Sequence, residues 1–444
     1  MSSNTSKPIN LQTGWPSARL CASAAILDGA QQVLTSETEA GPAMLYGPRI
    51  GHTPLRESLA TWLSTFYAQS MAGNPTTKDR IAISNGASGN LANILQKFAD
   101  PFYTRAIFLA EPTYFLACPI MEDNGFRGKL RGVPEGGPEH GGLDLGFLRQ
   151  RLRETEAEAG RTAAESGRAD APVLKAGPLY PKVFKYIIYV VPTFANPSGK
   201  TMAEQTRREL VCIAREFDAL VISDDVYDYL RWPADLTGGG DDALPPPPSR
   251  LVDIDRGMDG YDEKWGNTLS NGSFSKIIGP GVRVGWADCA PGLAFELGEV
   301  FNPDVQEAVP HHDGMHRANA GPHGVSVESS MDEKEGSTAL AGGFFLYLRL
   351  PDDVPHARTV ASVALREHGL RIAFGHLFVV AGDEGSIARA EGPGGISRCF
   401  RLCCAWHEEE ELREGVQRLA DTLASIRERM ARGEAIREEA LGVR

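Results

Sequence analysis

Ser270-Asn271-Gly272-Ser273-Phe274-Ser275-Lys276-Ile277-Ile278-Gly279-Pro280-Gly281-Val282-Arg283 sets one lysine in a small, hydroxyl-rich turn. Two glycines and a proline follow, then an arginine seven residues past the lysine. Lys276 reads as an amine that forms a Schiff base with an aldehyde cofactor, a role that requires surroundings that lower its pKa. Ser273, Ser275 and Arg283 read as donors to a phosphate on that cofactor. The hydroxyls supply neutral hydrogen bonds and the guanidinium fork a charge-assisted pair. A phosphorylated aldehyde held by a lysine is pyridoxal 5'-phosphate, PLP. The plainer alternative is a solvated lysine in a Gly-rich loop, so the segments around this one have to decide.

Upstream, Ala219–Ser223 is a short apolar run that reads as a buried strand, and it ends at Asp224-Asp225-Val226-Tyr227. A carboxylate at the carboxyl end of such a strand faces the ligand crevice of an α/β sheet. Opposite a pyridine nitrogen, Asp224 would hold that nitrogen protonated and make the ring an electron sink. Asp225 reads as a solvated turn acid. Tyr186–Val191 is a fully apolar strand leading into Pro192-Thr193-Phe194-Ala195-Asn196-Pro197-Ser198-Gly199-Lys200-Thr201. Gly199-Lys200-Thr201 looks like the end of a P-loop, but the glycine needed five residues before Gly199 is Phe194. Pro197 also removes one N–H from such a cradle. Asn196 is the better candidate for chemistry, its amide able to donate to a ring oxygen.

Closer to the N-terminus, Arg80–Ser84 alternates like a strand and runs into Asn85-Gly86-Ala87-Ser88-Gly89-Asn90 and an apolar-periodic helix. A strand, a small-residue turn and a helix N-terminus make an anion site, because free N–H groups and the helix dipole both point at it. Ala106–Ala110 is a second buried strand, ending at Glu111-Pro112-Thr113-Tyr114. Tyr114 is placed to stack on a flat ring over the sheet, or simply to fill core. Near the C-terminus, Arg401 alternates with Phe400 and Leu402. An arginine in an apolar strand is costly unless paired. Either an internal salt bridge or a bound carboxylate would pair it.

The bulk numbers bound the rest. With 444 residues and 42% apolar content, the chain suffices for one large and one smaller domain. A formal charge of −13 argues against nucleic acid or an anionic membrane as the main partner. No apolar run approaches a membrane span, and the polar first residues predict no secretory signal. Seven cysteines without a CxxC pair predict free thiols in a reducing, cytoplasmic setting. Residues 128–181 and the Gly/Pro loop 238–248 read as surface excursions. His311, His312, His316 and His323 lie in an irregular stretch without regular ligand spacing, so no metal site is expected.

In this order the pieces resemble the PLP-dependent fold type I enzymes of the class I/II aminotransferase family. The likeness is strongest to aminoadipate/kynurenine-type aminotransferases and to the aminotransferase-like domains of MocR-type regulators. It covers residues 10–290 and 342–430. The specific motifs are Asn196-Pro197-Ser198-Gly199, Ser223-Asp224-Asp225-Val226-Tyr227, and Ser273-Phe274-Ser275-Lys276 with Arg283. The resemblance implies that Lys276 is the Schiff-base lysine and proton shuttle and that Asp224 pairs with the pyridinium nitrogen. It implies that Asn196 and Tyr227 bind the ring's phenolic oxygen and that Tyr114 stacks on the ring. Gly86, Ala87 and Ser88 would complete the phosphate cup with Ser273, Ser275 and Arg283. Tyr46 would reach the phosphate of a neighbouring subunit, which implies a homodimer with shared sites. Arg401, with Gly14 and Asn196 near it, would bind the substrate carboxylate.

The expected fold is α/β. A large PLP-binding domain over 45–300 has a mostly parallel sheet flanked by helices. A smaller α+β domain is built from the N-terminal arm, 1–44, and residues 342–444. Residues 301–341 depart from the family pattern, being short and Gly/His-rich where a long interdomain helix is usual. The expected reaction is transamination between an α-amino acid and a 2-oxo acid. A carbon–sulfur lyase or 1-aminocyclopropane-1-carboxylate synthase-like enzyme would use the same residues. A non-catalytic PLP-binding or inactive homologue is the third reading; the acidic charge and the lack of a helix-turn-helix pattern weigh against a regulator.

Overall fold

The computed structural model describes residues 7–69, 71, 74–136, 142–166, 173–233, 244–300, 340–438 and 441. The four clustered histidines and nearly all of the 301–341 segment therefore lie outside the described residues.

Seven short runs of apolar and β-branched residues form one sheet: β1 (Ile81–Ser84), β2 (Ala106–Ala110), β3 (Leu130–Val133), β4 (Tyr186–Val190), β5 (Ala219–Asp224), β6 (Thr268–Ser273) and β7 (Gly285–Cys289). Their order across the sheet is β1-β7-β6-β5-β4-β2-β3. Only β7 runs against the others. Successive side chains of β4 and β5 alternate between two cores. Ile187, Tyr189, Leu220 and Ile222 pack with Ala87–Phe98 and Pro291–Gly298 on one face. Tyr186, Ile188, Val190 and Val221 pack with Leu148, Leu210 and Leu251 of three helices on the other. Burial on both faces is why these strands read as continuous apolar runs rather than alternating ones.

The crossover from β3 to β4 reverses the direction in which strands are added. It leaves the ends of β2 and β4 flanking the topological switch point, where ligands of open α/β sheets bind. Five of the sequence motifs hang from carboxyl ends of strands on this one edge: Asn85–Ser88 after β1, Tyr114 after β2, Asn196 after β4, Asp224 ending β5, and Ser273–Lys276 closing β6.

A second core sits apart from the sheet. Strands β8 (Phe345–Arg349), β9 (Ala373–Phe374) and β10 (Cys399–Cys403) form an antiparallel sheet in the order β8-β10-β9. The helices Ala357–His368 and Glu409–Ala431 cover it, burying Val360, Ala364, Leu419 and Ile426. Ile9–Asn10 of the N-terminal arm pairs in parallel with Leu370–Arg371, and Ile9 and Leu11 join this core. Leu340–Gly342 is a separate short strand, paired antiparallel with Arg231–Pro233. The helix after Tyr114 is short, Ala117–Met121, and runs into a wider turn over Glu122–Phe126.

Candidate active site

Two strand ends supply the centre. β5 and β6 are parallel neighbours, and their register sets Asp224 beside Asn271. Three residues after β6, Lys276 closes a single 3-10 turn, and its Nζ donates to the Gly14 carbonyl at 2.9 Å. The amine also lies 5.1 Å from the centre of the Phe344 ring. Burial lowers the Lys276 pKa to about 8; the nearby Arg401 and Arg283 charges push the same way, against Asp224. This is the environment a nucleophilic amine requires, since the neutral form becomes accessible near neutral pH.

Asp224 is buried, and burial raises its carboxyl to about 6, against the hydrogen bond from Tyr189 and the charge of Lys276. Tyr189 Oη donates to Oδ2 at 2.7 Å, and Asn271 Nδ2 donates to Oδ1 at 3.3 Å. Tyr227 is buried one turn on, between the rings of Phe344 at 5.8 Å and Phe345 at 6.0 Å. Tyr114 bonds Ser88, and its hydroxyl lies in the field of Asp224, Arg401 and Arg283.

Ser273, Ser275, Arg283 and the turn at Gly86 lie together on one flank of the site. Ser273 Oγ bonds Ser275 Oγ at 2.9 Å and accepts the Ser275 N–H at 3.1 Å. Arg283 reaches Ser275 Oγ at 3.5 Å and the Asn85 carbonyl at 3.1 Å. Gly86 caps the Ala87–Phe98 helix with φ +96°, and a Cβ there would meet Arg283 Nη2 at 2.6 Å. The positive φ is what calls for glycine, whereas the guanidinium, at the end of a flexible side chain, would move aside for a Cβ. Hydroxyls, a guanidinium and a helix N-terminus thus converge within one small cradle, a donor set suited to phosphate.

Arg401 makes no internal salt bridge among the described residues, although it is 2% exposed. Nη1 donates to Asn196 Oδ1 at 2.8 Å, Nη2 donates to the Gln12 carbonyl, and Nε is buried without a partner. The guanidinium lies 4.0 Å from the Phe345 ring centre. A buried cation with an unsatisfied N–H and only neutral acceptors is poised for an anionic ligand. Asn196 follows β4 in a loop whose Asn196-Pro197 bond is cis.

Lys276, Asp224, Asn196, Arg401 and Gly14 are therefore linked by direct contacts or mutual fields, with Tyr227 and Tyr114 alongside and the Gly86–Ser88, Ser273, Ser275, Arg283 cradle at one end. Tyr46 stands apart: it is 70% exposed, next to exposed Met44 and Leu45. One reading is corrected. Asp225 is no solvated turn acid but 2% exposed, held by the hydroxyls of Ser223 and Ser270. Sequence reasoning also gave no role to Tyr189, Asn271 or Asn90. Tyr189 is one of two tyrosines in an otherwise apolar strand, and nothing local separates it from Tyr186, which bonds Glu156 on the other face.

Residues 6–300 match the family model for aminotransferase class I and II. An uncharacterised protein of Saccharomyces cerevisiae is 31% identical over 93% of this chain and 96% of its own length. Aromatic-amino-acid aminotransferase 1 of Thermococcus litoralis is 24% identical over 94% of this chain and 88% of its own. Among solved structures, the multiple substrate aminotransferase from Thermococcus profundus superposes with a TM-score of 0.64 at 23% identity, covering 97% of this chain and 93% of that one. Motif order, strand-end geometry and these similarities agree: the chain belongs to the class I and II aminotransferase family and is a PLP-dependent transferase of the α/β fold type I architecture.

Proposed function

We propose that the chain moves an amino group between an α-amino acid and a 2-oxo acid, using PLP attached through Lys276. The observation that carries this reading is the desolvated Lys276 amine in the combined field of buried Asp224 and of the Arg401 guanidinium, whose Nε has no partner. The residues fit the cofactor. The turn at Gly86, with its positive φ at the helix N-terminus, and the Arg283 guanidinium beside it offer donors for a phosphate. PLP, when bound, supplies an aldehyde for the lysine and an electron-accepting ring.

The protein's own groups do the rest. Backbone N–H groups of Gly86, Ala87 and Ser88, with Ser273, Ser275 and Arg283, hold the phosphate. Asp224 would hold the proton on the ring nitrogen, and a cation there would bring its burial-raised carboxyl pKa back down. Asn196 and Tyr227 would bind the ring oxygen and Tyr114 would stack on the ring. Arg401 takes the substrate carboxylate in a bidentate grip and so fixes the α-carbon over Lys276. Lys276 Nζ, with a pKa of about 8, removes the α-carbon proton as general base.

For the substrate we favour an aromatic or large apolar side chain. Phe344 and Phe345 lie beside Lys276 and Arg401, and Trp15 packs on Trp406 at 5.0 Å just beyond Gly14. The Thermococcus litoralis relative's name points the same way. The Ser23–Thr35 helix buries only Val33 and exposes Leu27 and Leu34. Together with exposed Met44–Tyr46 it supports a homodimer in which Tyr46 serves the partner's site. All seven cysteines are free thiols, in keeping with a cytoplasmic setting.

The test is a panel of amino acids with a 2-oxo acid acceptor and added PLP, following both products by chromatography, with Lys276→Ala as control. Paired formation of a keto acid and a newly aminated acceptor, best with phenylalanine or tyrosine, supports the proposal. Pyruvate and ammonia without acceptor would instead indicate elimination, and no turnover in PLP-bound protein a non-catalytic role.

A further inference from the structure

We infer that Asn271 is a positioning residue that locks together the two anchor points of the cofactor: the carboxylate facing the ring nitrogen and the helix facing the phosphate. This rests on the PLP reading above. Asn271 is 1% exposed on β6, beside Asp224 in the parallel ladder. Its Nδ2 donates to Asp224 Oδ1 at 3.3 Å and to the Ala87 carbonyl at 3.0 Å. Its Oδ1 accepts from Asn90 Nδ2 at 2.8 Å. Asn90 is itself buried, one turn into the helix that Gly86 caps.

Both hydrogens of the Asn271 amide and its oxygen are thus committed, two of them to the first turn of one helix. Packing alone would be served by apolar side chains here, as Leu269 and Leu91 serve it nearby. Two buried amides are tolerated because Asn90 donates to the Asn271 oxygen and the Asn271 hydrogens reach Asp224 and Ala87. What the pair adds is geometry. The Ala87 and Asn90 bonds fix the helix terminus, and the third bond fixes Asp224 against it. Tyr189 donates to the opposite carboxylate oxygen, so Asp224 has one donor on each side, which favours its ionised form.

Equilibrium binding of two probes, read by quenching of tryptophan fluorescence, tests this. One is PLP; the other is its 1-deaza analogue, with carbon in place of the ring nitrogen. Both keep the aldehyde and the phosphate, so their affinity ratio isolates what Asp224 contributes at the ring nitrogen. In Asn271→Leu the preference for PLP should fall by about tenfold, the scale of one hydrogen bond to a charged group. Equal weakening of both probes, with the ratio unchanged, would mean a merely structural role and overturn the inference. If Asn271→Leu does not fold, Asn271→Ser, which withdraws the same donor with less added bulk, is judged by the same ratio. A native protein that binds neither probe would refute the PLP reading itself, which is a different failure.

Discussion

Replacing Asp224 by asparagine should stabilise the cofactor-free protein while weakening its hold on the cofactor. Burial raises the Asp224 carboxyl from 3.8 to about 6. A carboxyl whose folded pKa lies above its unfolded value costs stability once it ionises. The cost is absent at low pH, develops as pH rises from the unfolded pKa through the folded one, and is constant above that. A shift of about two units amounts to about 3 kcal/mol at pH 7.5 and about 1 kcal/mol at pH 4.5. Asparagine keeps the shape. It can accept from Asn271 and donate to the Tyr189 oxygen, so both contacts survive and the one loss is the acceptor of the Tyr189 hydroxyl hydrogen, which costs less than the buried charge. Thermal melts of cofactor-stripped wild-type and Asp224→Asn protein at both pH values measure the difference. The expected outcome is a variant clearly more stable at pH 7.5, with the gap narrowing at pH 4.5. With PLP added the order reverses, because the carboxylate then has a cation to face. A variant less stable than wild type at pH 7.5 without cofactor would refute this reasoning and show Asp224 to be stabilised where it sits.

Arg401→Leu should lower kcat/KM by about 10²–10³-fold, the scale of two charge-assisted hydrogen bonds, and Arg401→Lys should restore little of it because a single ammonium cannot form the fork. Steady-state kinetics decide, and near-normal kcat/KM in Arg401→Leu would remove Arg401 from the substrate site. Gly86→Ala should weaken PLP binding by about tenfold without unfolding the chain, since φ +96° strains a side chain there and an added Cβ would push the Arg283 guanidinium out of place; unchanged affinity by titration would place the phosphate elsewhere. The rate at which PLP attaches to the cofactor-free protein should rise with pH and level off just above 8, as the Lys276 amine loses its proton. A rate that keeps climbing to pH 10 would mean an ordinary solvated lysine.

The strands of the large sheet were legible because burial on both faces turns them into uninterrupted apolar runs between turn residues, as in Tyr186–Val190 and Ala106–Ala110. Lys276, Asp224, Asn196 and the Gly86–Ser88 turn were legible for a related reason: each ends a strand or opens a helix, where local chemistry is exposed to reading. What stayed hidden depends on register. Asn271 faces Asp224 only because β5 and β6 pair in parallel with those residues opposite, and Asn90 meets it across 181 positions of sequence. Asp225 looked like a turn acid because nothing local announces that Ser223 and Ser270 enclose it. Arg401 was ambiguous for the opposite reason: the sequence shows a buried cation, but the lack of a carboxylate partner among the described residues is a fact of three-dimensional neighbours.

The central claim is that Lys276 Nζ is the atom that binds the cofactor, and one measurement addresses it without reference to any substrate. The protein is incubated with PLP, reduced with borohydride to fix the carbon–nitrogen bond, digested, and mapped by mass spectrometry. The account predicts a single phosphopyridoxyl-modified peptide carrying the label on Lys276, lost in Lys276→Ala while the variant remains folded. Label on another lysine, or label spread over several surface lysines with Lys276 unmodified, would contradict it.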